Sequence, residues 1–255
     1  MKRWENIYKP LPAIGFLAFL ILFWEIIARI TEIPTYILPM PTDIVRALSQ
    51  NAALLFLHSQ ATLLAALSGL GIAVVLSVVI AYVMDKIEII KKMFYPLLVI
   101  SQTIPIIAIA PIMIIWFGFG YLPKILTVVL VCFFPLTVSI TEGLKKVEKE
   151  DIEVLKVIGA KTRQIFWHIQ LPAILPFFFS GLKISVTYSV MAAVIGEWLG
   201  GNRGIGVFMI RSMHTYNISN LFSAILVVVV LSVILFKVTE FISWLVMPWE
   251  RKEES

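Results

Sequence analysis

The chain has 255 residues, 60% of them hydrophobic and only 15% charged, with a net charge of +5 and a mean hydropathy of +0.94. A soluble domain of that length has too little interior to hide so much apolar side chain, whereas a bilayer accepts it in spans of about 20 residues. The basic residues are scattered between apolar runs, which excludes a nucleic-acid stripe, and a single cysteine, Cys132, excludes an internal disulfide or a multi-thiolate metal site.

In chain order, Met1-Lys2-Arg3 precedes the first apolar run, 12–30. It has the outline of a signal peptide, but no small-residue cleavage site comes before Arg29, so it reads as a retained first span. Further apolar runs cover 60–84, 93–118, 123–141, 172–197 and 219–247. Each is near or above the roughly 18-residue threshold for a span, which predicts an all-α membrane protein of about six transmembrane helices. No internal repeat or soluble segment interrupts them, so residues 1–255 read as one membrane domain.

The third run contains Pro105 and Pro111, which predict a kink or a break. A break at membrane depth is tolerated where protein or a cavity surrounds the freed backbone groups. Ser101, Gln102 and Thr103 form a polar step beside Pro105, and Ser185, Tyr188 and Ser189 form another in the fifth run. Two readings stand: contacts to a small polar solute, or hydrogen bonds between helices. Glu197 closes the fifth run before Trp198 and a glycine-rich segment, as part of an outer gate or docking surface, or as a structural carboxylate at the interface. Lys183 either lines a path for an anion or snorkels to the nearer interface. Lys237 with Glu240, and Glu25 with Arg29, are spaced as interfacial pairs.

With six spans and a cytoplasmic N-terminus, the inner segments hold fourteen Lys and Arg and the outer segments five, namely Arg29, Arg46, Lys124, Arg203 and Arg211. That asymmetry places both termini in the cytoplasm.

The connector 142–172 is the longest charged stretch, and on that topology it is cytoplasmic. Leu144, Val147, Ile152, Leu155 and Ile158 recur at near-helical spacing, with Lys145, Lys146, Lys149, Glu150 and Lys156 on the other faces. Gly159 suits a helix end in the left-handed conformation. Thr162 is the expected N-cap of a second short helix with Ile165, Phe166 and Ile169 on its apolar face, and Pro172 suits the start of the fifth span. Such a helical knob either docks into a groove on a cytoplasmic partner or packs on its own bundle.

The run Glu153-Val154-Leu155-Lys156-Val157-Ile158-Gly159-Ala160, followed by Ile169-Gln170-Leu171-Pro172, resembles the EAA loop of ABC importer permeases. That pattern is Glu-Ala-Ala, three residues, Gly, nine residues, then Ile-x-Leu-Pro; here Val154 and Leu155 replace the two alanines. Leu38-Pro39-Met40-Pro41, the run 62–69, Gly181-Leu182-Lys183, Gly196-Glu197-Trp198 and Gly204-Ile205-Gly206 extend the resemblance from about residue 35 onward. They are similar to the nitrate, sulfonate and taurine branch, which includes importers of thiamine-precursor pyrimidines and riboflavin.

The resemblance implies a MetI-like type I permease in the cell inner membrane. It implies a coupling loop (Glu153, Gly159, Ala160, Ile169, Leu171, Pro172) seated in a cleft of an ATPase subunit. It further implies a pair of permease chains and an extracytoplasmic binding protein that delivers a small anion or a pyrimidine. Gly159-Ala160-Lys161-Thr162 lacks the glycine–lysine pair and the upstream glycines of a P-loop. ATP and magnesium therefore belong to the partner ATPase, and no cofactor is expected in this chain. No nucleophile paired with a base is visible, so the chain does not read as an enzyme. The alternative is an ion-coupled secondary transporter, which needs intramembrane carboxylates and commonly inverted repeats.

Overall fold

A computed structural model of the chain describes residues 11–147, 153–155 and 157–249. Backbone polar groups in lipid must be satisfied within the chain, and the apolar runs accordingly become helices. They are α1 (Leu11–Ile30), α2 (Pro41–Gln50), α3 (Ala52–Lys86), α4 (Glu88–Ser101), α5 (Ile106–Phe117), α6 (Tyr121–Lys145), α7 (Thr162–Ile165), α8 (Leu171–Gly200), α9 (Ile205–His214) and α10 (Ile218–Val246). Among the described residues, five stretches are long and apolar enough to cross a membrane: Pro12–Ile30, Ala52–Lys86, Tyr121–Lys145, Arg163–Leu199 and Ile218–Val246. The α4–α5 pair makes a sixth if it is counted as one broken span.

Helix α3 begins eight residues before the predicted start of the second span at 60, and at 35 residues it is about 52 Å long at 1.5 Å per residue. Its packing face is a ladder of small residues at every fourth position, Ala61, Ala65, Gly69, Ala73, Ser77 and Ala81, all buried. A Cβ on Gly69 would lie 2.5 Å from the Cβ of Val128, so glycine sets how closely α3 and α6 approach. Small residues of this kind let membrane helices pack where no hydrophobic drive between them exists. Val128, Cys132 and Leu136 of α6, with Val186, Val190 and Ala193 of α8, complete the core against α3. A second apolar cluster joins Leu55 of α3, Val194 of α8, Ile205 and Phe208 of α9, and Ala224 of α10.

The third predicted span is not one helix. It breaks after Ser101, and α5 leaves at 107° to α4. Of the two prolines in that run, Pro105 makes the break, at the N-cap of α5 with extended backbone, while Pro111 lies inside α5. The turn closes with tight bonds from the N–H groups of Gln102, Thr103 and Ile104 to the carbonyls of Val99, Ile100 and Ser101. The hydroxyls of Ser101 and Thr103 also donate to the carbonyls of Leu98 and Ile100, reinforcing the backbone groups at the end of the helix.

The two interfacial pairs form as spaced: Arg29 meets Glu25, and Lys237 meets Glu240, each at 2.6 Å. Glu25 has a second task, accepting from the Thr42 N–H at 3.1 Å and its hydroxyl at 3.0 Å, which ties α1 to the first turn of α2.

Candidate functional site

Three places gather the polar residues singled out by the sequence: a cavity beside the broken helix, the loop before α8, and a buried network where α8 ends.

A cavity of 220 Å³ lies in the elbow between α4 and α5. Ser101, Gln102 and Tyr188 face it together with Phe134 of α6 and Met191 of α8, so two polar steps far apart in sequence converge on one space with no charged lining residue. The other candidates for a solute path lie elsewhere. Thr103 is exposed and bonded to its own turn. Ser185 is buried in the α6–α8 contact, where its hydroxyl donates to the Cys132 carbonyl and the Cys132 thiol donates to the Ser185 carbonyl, each at 3.2 Å. Ser189 is buried and donates to the Val186 carbonyl.

In the loop, Glu153 to Leu155 and Val157 are helical and end at Gly159, whose φ of +90° is the left-handed conformation expected of it. The Ala160 N–H reaches back to the Leu155 carbonyl at 2.9 Å, the long bond of a Schellman end. The next helix is capped one residue earlier than predicted. The carbonyl of Lys161 receives the Gln164 and Ile165 N–H groups, and Gln164 Oε1 accepts from the Lys161 N–H at 2.8 Å in half of a capping box. Phe166–Gln170 then forms a wider π turn, with the Leu171 N–H donating to the Phe166 carbonyl. Pro172 explains this turn: it has no N–H for an α-type bond, and its ring would strike the carbonyl four residues back.

Ile169, Leu171 and Pro172 therefore sit where the loop becomes α8. Gly159, Ala160 and Ile169 line a 420 Å³ cleft between the two arms of the loop. Val157 is 86% exposed, and Ile158, which also lines that cleft, 73%, a concentration of bare aliphatic surface on an otherwise charged connector. Of the residues assigned to the faces of the first loop helix, Lys149, Glu150, Ile152 and Lys156 lie outside the described residues.

At the far end of α8, Glu197 is 1% exposed. Both its oxygens accept from the Thr62 hydroxyl at 3.0 Å, and Oε2 also accepts from the Gly206 N–H at 2.9 Å. The same Thr62 oxygen accepts from the Ile205 N–H at 2.8 Å, and His58 Nδ1 accepts from the Gly204 N–H at 2.9 Å. Three successive N–H groups at the start of α9 are thus met by side chains from α3 and α8, with a carboxylate on the positive end of the helix dipole.

Gly204 has φ +133°, and a Cβ there would lie 2.0 Å from the Glu197 carboxyl carbon, so the site admits only glycine. Lys124 lies alongside, donating to the Arg203 carbonyl at 3.1 Å. Sequence reasoning singled out Glu197 and the Gly-Ile-Gly run but gave His58 no role and Lys124 only a place in an outer segment. The available signal was the i, i+4 spacing of His58 and Thr62, which puts both on one face of α3.

The chain matches the family described as the inner membrane component of binding-protein-dependent transport systems over residues 73–251. It is 37% identical to the formylaminopyrimidine transport permease protein ThiX of Halalkalibacterium halodurans, over 96% of this chain and 98% of that one. It is 30% identical to the taurine transport system permease protein TauC of Escherichia coli, over 82% and 78%, and 28% identical to the riboflavin transport system permease protein RibX of Chloroflexus aurantiacus, over 94% and 91%.

Among solved structures, an amino acid ABC transporter chain superposes with a TM-score of 0.59 at 15% identity, covering 79% of this chain and 96% of its own. The MetNI methionine ABC transporter in an inward-facing conformation gives 0.57 at 19%, covering 81% and 97%. At those identities the likeness is one of fold.

Proposed function

The chain belongs to the family of binding-protein-dependent transport inner membrane components, as a permease subunit and not an enzyme, and from that premise we propose that it imports a thiamine-precursor pyrimidine. A binding protein delivers the solute, and a separate ATPase subunit binds ATP and magnesium. Energy enters through the 142–172 loop, with Glu153, Gly159, Ala160, Ile169, Leu171 and Pro172 at the contact and the bare Val157–Ile158 surface buried by the ATPase. Both termini face the cytoplasm, as the excess of Lys and Arg at the loop end favours, and a second copy of the chain completes the pathway. Family membership displaces the ion-coupled alternative.

The observation that carries the solute class is the uncharged cavity at Ser101, Gln102 and Tyr188. Specific pockets for drug-sized ligands run to roughly 300–1,000 Å³, so 220 Å³ favours a single small ring over a flavin. Phe134 and Tyr188 offer ring faces, while the Gln102 amide and the two hydroxyls offer donors and acceptors to ring nitrogens and an exocyclic amine. A sulfonate or nitrate calls for a cation, and none lines the cavity. This agrees with the near full-length likeness to a formylaminopyrimidine permease. Glu197 acts as the structural carboxylate of the outer end.

The test is uptake into proteoliposomes holding the chain, its ATPase and its binding protein. Labelled formylaminopyrimidine accumulates only with ATP, and Gln102→Ala lowers uptake about tenfold, the loss of one hydrogen bond to the solute. ATP-driven accumulation of taurine but not of pyrimidine would overturn the solute class, and ATP-independent uptake would overturn the importer.

A further inference from the structure

Two helix N-termini lie close together at the end of the bundle opposite the loop, in different electrostatic conditions. That of α9 is filled by Glu197, Thr62 and His58. That of α6 is not: Gly120 stands at its N-cap with φ +132°, and no side chain caps it. A helix N-terminus carries roughly half a positive charge and open N–H groups, and it is settled by an anion.

A second observation points the same way. Lys124, in the first turn of α6, is only 3% exposed. Its ammonium reaches one backbone carbonyl, that of Arg203, and stands 5.4 Å from the centre of the Tyr121 ring. Among the described residues no carboxylate lies within ion-pair distance of Lys124 or of Arg203. Glu197, the acid of this corner, acts on Lys124 across space but is not in contact with it, both its oxygens being engaged by Thr62 and α9. A buried ammonium held by one carbonyl and a ring face is costly unless a counter-charge joins it.

These groups meet in a basin of 730 Å³ bounded by the start of α6, the end of α8 and the segment 201–203. Trp198 and Asn202 contribute to its wall, Arg203 to its rim, and its lining contains no Asp or Glu. We propose that this basin is an oxyanion site. Lys124 at the floor, Arg203 at the rim and the open end of α6 together hold a carboxylate, sulfate or phosphate group, either as a free ion or as the headgroup of an acidic lipid. The site is separate from the uncharged cavity at Gln102 and opposite to it in character, so it is not a second station for a neutral ring. It depends on neither the solute nor the ATPase.

The full-length chain, purified in neutral detergent, tests this by thermal unfolding in sodium sulfate or acetate against sodium chloride at matched ionic strength. The same measurement in bilayer discs compares phosphatidylglycerol with phosphatidylcholine. Sulfate or phosphatidylglycerol raises the unfolding midpoint in a concentration-dependent way. Lys124→Met abolishes the rise, and Arg203→Gln weakens the apparent affinity about tenfold, the worth of one charge-assisted bond. A response to sulfate without acidic lipid identifies a free ion, and a response to phosphatidylglycerol with sulfate inert identifies a lipid headgroup. Should Lys124→Met not fold, Arg203→Glu on the exposed rim carries the test. Midpoints that move equally in the native chain and the variants, or that respond to no probe beyond chloride, overturn the proposal.

Discussion

Where α8 finishes, the polar groups of three helices close on one another: Thr62 and His58 of α3 and Glu197 of α8 take up the first N–H groups of α9 and leave almost none of their surface to solvent. Ahead of α8, Val157 and Ile158 stand bare on a short arm closed by the turn bonds of the Ile158 and Ala160 N–H groups. The first arrangement is complete in the single chain and contributes to its stability. The second has apolar surface that no described residue of the single chain buries, as the proposed contact with an ATPase requires. A buried polar group tolerates little change, because its partners are desolvated with it, whereas an exposed aliphatic group can be altered without cost to the fold.

That contrast can be broken from either side. The largest expected change in stability follows Gly204→Ala, which combines a disfavoured positive φ with a direct clash against Glu197. It should lower stability by about 3 kcal/mol or more, read as a fall in the unfolding midpoint in detergent, because strain and a broken buried network act together. Thr62→Val keeps the shape but removes the donor to Glu197 and the acceptor for the Ile205 N–H. About 2 kcal/mol is expected, in the range for hydrogen bonds to buried charged groups, and an unchanged midpoint would show the network to be dispensable. Val157→Asp should leave the midpoint within about 0.5 kcal/mol of the native value, yet cut recovery of the ATPase in a pull-down at least tenfold. Full recovery would remove the loop from the interface.

The spans were legible because each is a long apolar run, and α1, α6, α8 and α10 lie close to where hydropathy puts them. The start of α3 was not, since the polar step His58-Ser59-Gln60 cuts the short apolar stretch 52–57 off from the run that follows, although the helix continues through it. Pro105 and Pro111 look alike in sequence. What separates them is that Ser101 and Thr103 supply hydroxyls to the turn before Pro105. The cavity was half legible: its polar residues were marked on two runs, but only the fold brings Ser101 and Gln102 to Tyr188 and leaves Ser185 and Ser189 in a helix contact. The network around Glu197 joins residues 135 positions apart, a separation across which local periodicity carries no information.

The π turn ahead of Pro172 keeps the helical path unbroken from Arg163 to Leu199, a rod of 37 residues. At 1.5 Å per residue it is about 55 Å long. The rod has the bare arm at one end and the clamped carboxylate at the other, so a push on the arm by the proposed ATPase would work on it as on a lever pivoted at the clamp. A tilt of about 5° around the clamped end would carry the arm some 5 Å, roughly the pitch of one helical turn. Part-way along, Tyr188 would be swept past the elbow at Gln102 by a proportionate share of that travel.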